Sequence, residues 1–177
     1  MRNAWLALVV LMAPALAAAQ RPAARAVARP RPDVFLGYSY THAGEASLHG
    51  WELSGSYPVG SSLRLVADLS GHYGSFAQAD LTQATFLLGA RRVWAKRRFA
   101  PFAEALLGGV RTKTSVPDAS ISDSDTDWGG ALGGGLDYRL SGPWAVRAQA
   151  DLLLLRAEGA WESDPRFSLG IVYRLGR

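Results

Sequence analysis

From Asp33 onward apolar side chains return at every second residue, segment after segment, and nowhere hold the spacing of a helix. A period of two puts alternate side chains on opposite faces of an extended chain, so these segments read as strands. Leu63, Leu65, Ala67, Leu69 and Tyr73 share one face, with Arg64, Asp68, Ser70 and His72 on the other. Trp51, Leu53 and Tyr57 oppose Glu52, Ser54 and Ser56, and Leu132, Leu136, Tyr138 and Leu140 oppose Asp137 and Arg139. Trp144, Val146, Ala148, Ala150, Leu152 and Leu154 stand against Arg147, Gln149 and Asp151. Phe167, Leu169, Ile171, Tyr173 and Leu175 stand against Arg166, Ser168, Gly170 and Arg174. The pattern predicts eight strands, at about 33–41, 47–57, 63–73, 81–93, 99–111, 128–140, 144–155 and 166–175. The fifth is the least regular, being mostly apolar on both faces from Ala100 to Val110.

Eight is an even number, which lets an up-and-down antiparallel sheet close with both ends on one side. Strands of ~9–11 residues tilted by about 45° match the thickness of a bilayer. A soluble barrel would show the same alternation with its apolar face inward, so the connections must decide. The links at Pro58–Ser62, Ala95–Arg98 and Ser141–Pro143 are short, and those at His42–Ala46, Gly74–Asp80, Thr112–Asp127 and Arg156–Pro165 tend to be longer. Short and long ends alternate as periplasmic turns and outer loops do in membrane barrels. Tyr57, Trp94, Phe99, Tyr138, Trp144 and Tyr173 gather beside the short turns, and Tyr40, Tyr73, Phe76, Trp128 and Trp161 toward the long ones. Two such girdles belong at the two headgroup levels. The expected fold is all-β: an eight-stranded antiparallel up-and-down transmembrane β-barrel over residues 33–177, its apolar face toward lipid.

The segment before Asp33 has a different character. Met1-Arg2-Asn3 is a positive start, Ala4 to Ala13 an unbroken apolar run, and Ala17-Ala18-Ala19 follow Pro14. Those three parts make an export signal over residues 1–19, cleaved after Ala19. The 16 residues from Ala4 to Ala19 fall short of the ~20 that a spanning helix requires. Gln20–Pro32 reads as an extended periplasmic linker, rich in Pro, Ala and Arg. The net charge of +4 belongs to this leader: five arginines and no acid precede Asp33, leaving 14 bases against 15 acids beyond it. A nucleic-acid partner, which calls for a basic excess on the fold itself, is therefore disfavoured. The absence of cysteine excludes a disulfide framework.

The quoted strands also resemble a known family. "GYSY" at Gly37–Tyr40, "VADLSGHYG" at Val66–Gly74, "FLLGARR" at Phe86–Arg92 and "PFAEALLGGVR" at Pro101–Arg111 are similar to small outer-membrane β-barrel proteins of the OmpA/OmpX transmembrane type. "GGGLDYRL" at Gly133–Leu140, "VRAQADLLL" at Val146–Leu154 and "FSLGIVYRLG" at Phe167–Gly176 complete the likeness to these porin-family proteins. The resemblance implies a Gram-negative outer-membrane location, contacts with outer-membrane lipids and lipopolysaccharide, delivery by the barrel-assembly machinery, and no cofactor. It also implies a monomer. The family commonly ends on an aromatic residue that the insertion machinery reads, whereas this chain ends Leu175-Gly176-Arg177, with Tyr173 the nearest aromatic. With the last strand expected to reach Leu175, no C-terminal periplasmic domain is expected.

On the non-lipid faces the ionisable side chains are Glu52, Asp68, Glu104, Asp137 and Asp151 against Arg64, Arg91, Arg139, Arg147 and Arg174. An eight-stranded barrel is just wide enough for side chains to fill, and unpaired burial is expensive. Five acids and five bases are thus expected to pair and close the interior. The expected function is a non-enzymatic barrel that supports the envelope or presents its loops for binding or adhesion. A narrow porin-like channel and, further off, a lipid A-modifying enzyme are the alternatives. "HYGS" at His72–Ser75 invites comparison with lipid A deacylases, but its spacing differs from their His-x-Ser and its parity is lumenal; the expectation is a rim histidine bonded to loop or water. His42 and His49 read as loop or strand-end residues. "DSDTDWGG" at Asp123–Gly130 resembles the opening of a calcium loop, yet Trp128 replaces the turn glycine and Gly134 the closing glutamate. An acidic solvated loop with weak divalent-cation contact, and no metal site, is expected.

Overall fold

The computed structural model describes residues 31–43, 46–76, 79–116, 121–157 and 160–176. The proposed export signal and most of the linker lie outside these residues. Eight strands follow one another: β1 (Asp33–Ala43), β2 (Ala46–Pro58), β3 (Leu63–Phe76), β4 (Ala79–Val93), β5 (Phe99–Val116), β6 (Ile121–Arg139), β7 (Trp144–Ala157) and β8 (Ala160–Arg174). Each pairs antiparallel with its sequence neighbour, and β8 returns to β1, closing the barrel in chain order. Closure leaves no strand edge unpaired, the condition for a sheet to exist in hydrocarbon.

The apolar face points outward. Leu36, Leu65, Leu88, Leu107, Leu132 and Ile171 are exposed, while their polar neighbours Asp68, Arg91, Asp137 and Arg147 are buried. A soluble barrel would have the opposite arrangement. Tyr57, Phe99, Tyr138, Trp144 and Tyr173 are exposed on the side of the short turns, and Tyr73 and Trp128 on the other. Phe99 packs on Tyr138 and Trp144 on Tyr173, with ring centroids 5.2 and 4.7 Å apart. Trp94 lies just past β4, half-buried, and Tyr40 is half-buried against Ser47. Trp161 falls in β8, but its side chain lies outside the described residues.

The short turns are tight. Lys96 and Phe99 exchange backbone hydrogen bonds of 2.6 and 2.7 Å around Arg97, whose φ is +46°. Gly142 turns the chain between β6 and β7 at φ +62°. Leu175 N–H donates to Pro32 C=O, so both ends of the barrel lie at this same rim.

At the opposite rim the expected boundaries are corrected. Most of what reads as loop at Thr112–Asp127 is paired strand: Thr112 faces Asp125, Thr114 faces Asp123, and pairing continues to Val116–Ile121. The other three long connections likewise shrink, with strands reaching Ala43, Phe76 and Ala157 and resuming at Ala46, Ala79 and Ala160. Beyond the hydrocarbon both faces of a strand meet water, so alternation fades while backbone pairing persists. Thr112 and Thr126 supply β-branched side chains that favour it. At 18 and 19 residues, β5 and β6 are the longest strands. They outrun a membrane-spanning strand by about 20 Å of tilted hairpin. Asp123–Gly130, which resembles the opening of a calcium loop, is paired as strand over its whole length.

Candidate functional site

The interior of the barrel is built in two charged tiers with an apolar diagonal beside them. Val66, Leu87, Leu106, Ala131 and Leu153 come from five successive strands and pack together, each at most 3% exposed. The centre is therefore not charged throughout. The ambiguous fifth strand is resolved by this contact: Phe102, Leu106 and Val110 point inward and Leu107 outward. Burying such side chains contributes roughly 1.5–3 kcal/mol each.

The tier near the short turns is rich in arginine. Arg147 donates to both carboxylate oxygens of Asp137, at 2.7 and 3.0 Å, the two-pronged geometry that a guanidinium favours. Its Nη2 also lies 4.0 Å from Asp33. Arg64 pairs with Asp33 at 2.8 Å, and Arg91 Nε donates to Glu104 at 2.7 Å. The Phe102 ring lies between two of these cations, with Arg91 at 4.4 Å and Arg147 at 4.8 Å from its centroid. Space for Phe102 comes from Gly135, where an added Cβ would stand 2.8 Å from the ring edge.

The middle tier is organised by Arg166. Antiparallel register sets it beside Asp151 of β7, and its guanidinium also reaches Asp68 of β3 and Glu52 of β2, at 2.9, 3.1 and 3.7 Å. All four side chains are buried. One cation among three acids leaves anionic oxygens to be bonded by neutral donors. Gln149 Nε2 donates to Glu52 at 3.0 Å and Asp151 at 2.8 Å, and Ser168 Oγ donates to Glu52 at 2.5 Å. Ser168 Oγ also lies 2.9 Å from Ser39 Oγ, which lies 2.9 Å from His72 Nε2; Thr41 Oγ1 is 3.1 Å from the same nitrogen. Asp68 Oδ2, Asp151 Oδ1 and His72 Nδ1 have no protein partner, so any water admitted here has ready bonding sites.

Several expectations are corrected by this geometry. Glu52, Arg64, Asp68, Arg91, Glu104, Asp137, Arg147 and Asp151 enter the two tiers, but Arg139 and Arg174 do not. Both are half-buried at the short-turn rim, Arg139 donating to the Arg97 carbonyl at 3.3 Å, and neither makes an ion pair within 4.0 Å among the described residues. In their place stand Asp33 and Arg166. The parity of Arg166 was legible; its position after Pro165 made it read as the start of a strand, whereas β8 begins at Ala160. His72 is not a rim residue but fully buried. A Ser39–His72 contact has the reach of a nucleophile and base, but it lies inside the wall, away from acyl chains, and no acid among the described residues is hydrogen-bonded to the imidazole. His49 sits on the lipid face, bonded to the Tyr38 hydroxyl, and His42 is exposed. No group of three or more acidic or histidine side chains among the described residues is arranged to hold a metal ion.

Residues 5–174 match the family described as outer membrane protein beta-barrel domain. No curated protein has a matching sequence. Among solved structures the chain is similar to Neisserial surface protein A, with 14% identity and a TM-score of 0.65, covering 81% of this chain and 96% of that one. It is similar to Ail, the attachment invasion locus protein of Yersinia pestis, with 15% identity and a TM-score of 0.58, covering 82% and 99%. It is also similar to the outer membrane enzyme PagL, with 18% identity and a TM-score of 0.52, covering 80% and 99%. At these identities the likeness is one of fold.

Proposed function

We propose a role for this chain from the family it belongs to, that of outer membrane protein beta-barrel domains: a non-catalytic barrel with a closed lumen. It supports the envelope and holds its long β5–β6 hairpin outward for binding or adhesion. The observation that carries this reading is Arg166, which joins β8 to β7, β3 and β2 across the interior. Phe102 and Leu106 are also buried inside the barrel, Phe102 against Arg91 and Arg147. Side chains tied from wall to wall in this way obstruct ions, whereas a selective pore keeps an open path. Ail, one of the similar folds, is described as an attachment protein, in keeping with the hairpin as the working surface. Lipids and lipopolysaccharide are the surroundings, the barrel-assembly machinery the route in, and the export signal at 1–19 the address. Full closure, with no free edge to pair, supports a monomer.

Planar-bilayer recording of the purified protein tests the closed lumen; steady, large conductance overturns it. The enzyme alternative is favoured only by the PagL fold, and the burial of His72 speaks against it. Lipid A profiled by mass spectrometry with the native chain and with His72→Ala decides: a lipid A product that disappears in the variant establishes catalysis.

A further inference from the structure

The chain outside the lumen is polarised. Arg92 near the end of β4 and Lys96, Arg97 and Arg98 in the β4–β5 turn are all exposed, and none makes an ion pair within 4.0 Å among the described residues. Asp33, Glu104 and Asp137, the acids of the tier nearest this rim, are buried and already paired to Arg64, Arg91 and Arg147. Arg92 is the informative member. Its register partners are Leu63 and Ala103, both exposed on the apolar face, so its stem lies on the lipid side of the wall. Its guanidinium is turned over the Trp94 ring, 5.6 Å from the centroid, toward the turn. A long cationic side chain rooted among lipid-facing residues and bent toward an interfacial tryptophan is snorkelling. Phe99, exposed one residue past Arg98, packs on Tyr138 and continues the aromatic belt at the same level. The backbone is rigid here, since Lys96 and Phe99 exchange hydrogen bonds around Arg97 and Arg139 fastens the Arg97 carbonyl.

We propose that Arg92, Lys96, Arg97 and Arg98, with Trp94, form a binding site for the phosphate headgroups of anionic phospholipids at the short-turn interface. Four cations on one braced hairpin meet the headgroup plane while the aromatic belt sets their depth. Charge complementarity points to lipids with net negative charge over zwitterionic ones: each basic residue near such a surface favours binding about fivefold. The site lies on the periplasmic leaflet, which rests on the reading that short turns face the periplasm; the ligand chemistry does not depend on it.

The test uses the full chain in detergent micelles with phosphatidylglycerol or phosphatidylcholine added, bound lipid being counted by intact-complex mass spectrometry. Preferential retention of phosphatidylglycerol is expected, at least tenfold. It should fall to near parity in the variant Arg92→Gln, Lys96→Gln, Arg97→Asn, Arg98→Gln, the asparagine tolerating the positive φ. Excess inorganic phosphate should compete only weakly; full displacement by it overturns the site as a lipid site. Equal retention of the two lipids by the native chain overturns the proposal without any variant. So does selective capture of purified peptidoglycan with no lipid preference, which would assign the turn to a cell-wall polymer. Neither result bears on conductance through the lumen.

Discussion

Arg166 and Asp68 stand 98 residues apart in the chain and meet at 3.1 Å inside the barrel. No strand pairing joins them, because β8 hydrogen-bonds to β7 and β1 while β3 pairs with β2 and β4. The contact crosses the lumen and ties together walls three strands apart.

Removing this cation leaves three buried carboxylates facing one another. Arg166→Met is expected to destabilise the folded barrel by about 3–5 kcal/mol, the usual cost of breaking a buried pair from one side. Urea unfolding in micelles, followed by heat-modifiable gel migration, measures it. A loss below 1 kcal/mol would mean that water already screens the tier.

Phe102 separates two guanidinium groups and is 4% exposed. Phe102→Ala should cost about 3–5 kcal/mol through the cavity and the lost cation–π contacts. Phe102→Leu should recover much of the volume and little of the aromatic part. The same unfolding assay separates the two variants.

Gly133 and Gly55 make a matched comparison. A Cβ at Gly133 would fall 2.1 Å from Asp151 Oδ1 and 2.4 Å from the Ala150 carbonyl, whereas at Gly55 it meets nothing within 4 Å. Gly133→Ala therefore pushes Asp151 away from Arg166 and should destabilise by about 1–3 kcal/mol, as overpacking does. Gly55→Ala should be neutral or slightly stabilising. Equal melting of the two variants would contradict the packing around Asp151.

Leu132 is exposed midway along β6 between Trp128 and Tyr138. If lipid covers it, Leu132→Arg costs about 2–4 kcal/mol of folding free energy in bilayers. Water on that face would make the change nearly neutral. Refolding into liposomes at increasing urea distinguishes these outcomes.

Much of this architecture was legible in the order of residues. Period-two alternation in β2, β3, β7 and β8 assigns each side chain to a wall face, because strand geometry leaves no third direction. It also separates Leu65 and Leu69 from Asp68 without any knowledge of neighbours. The pattern failed where its cause was missing: above the membrane, where β5 and β6 continue as a paired hairpin through residues that look like loop. At β8 alternation puts Arg166 on the polar face, but a polar, proline-containing stretch before it makes it read as the end of a strand that in fact begins at Ala160. The placement of His72 at a rim failed for a related reason, since distance from a strand end is not depth in a barrel.

Alternation is local: it is written in each strand and settles which side is greasy before any strand meets another. Partnership is not local. Which acid meets which base depends on the stagger and curvature of eight strands closing together, quantities that no single segment carries. Thus Glu52, Asp68 and Asp151 were each destined for the interior by their own neighbours, and the closed barrel alone made them share Arg166.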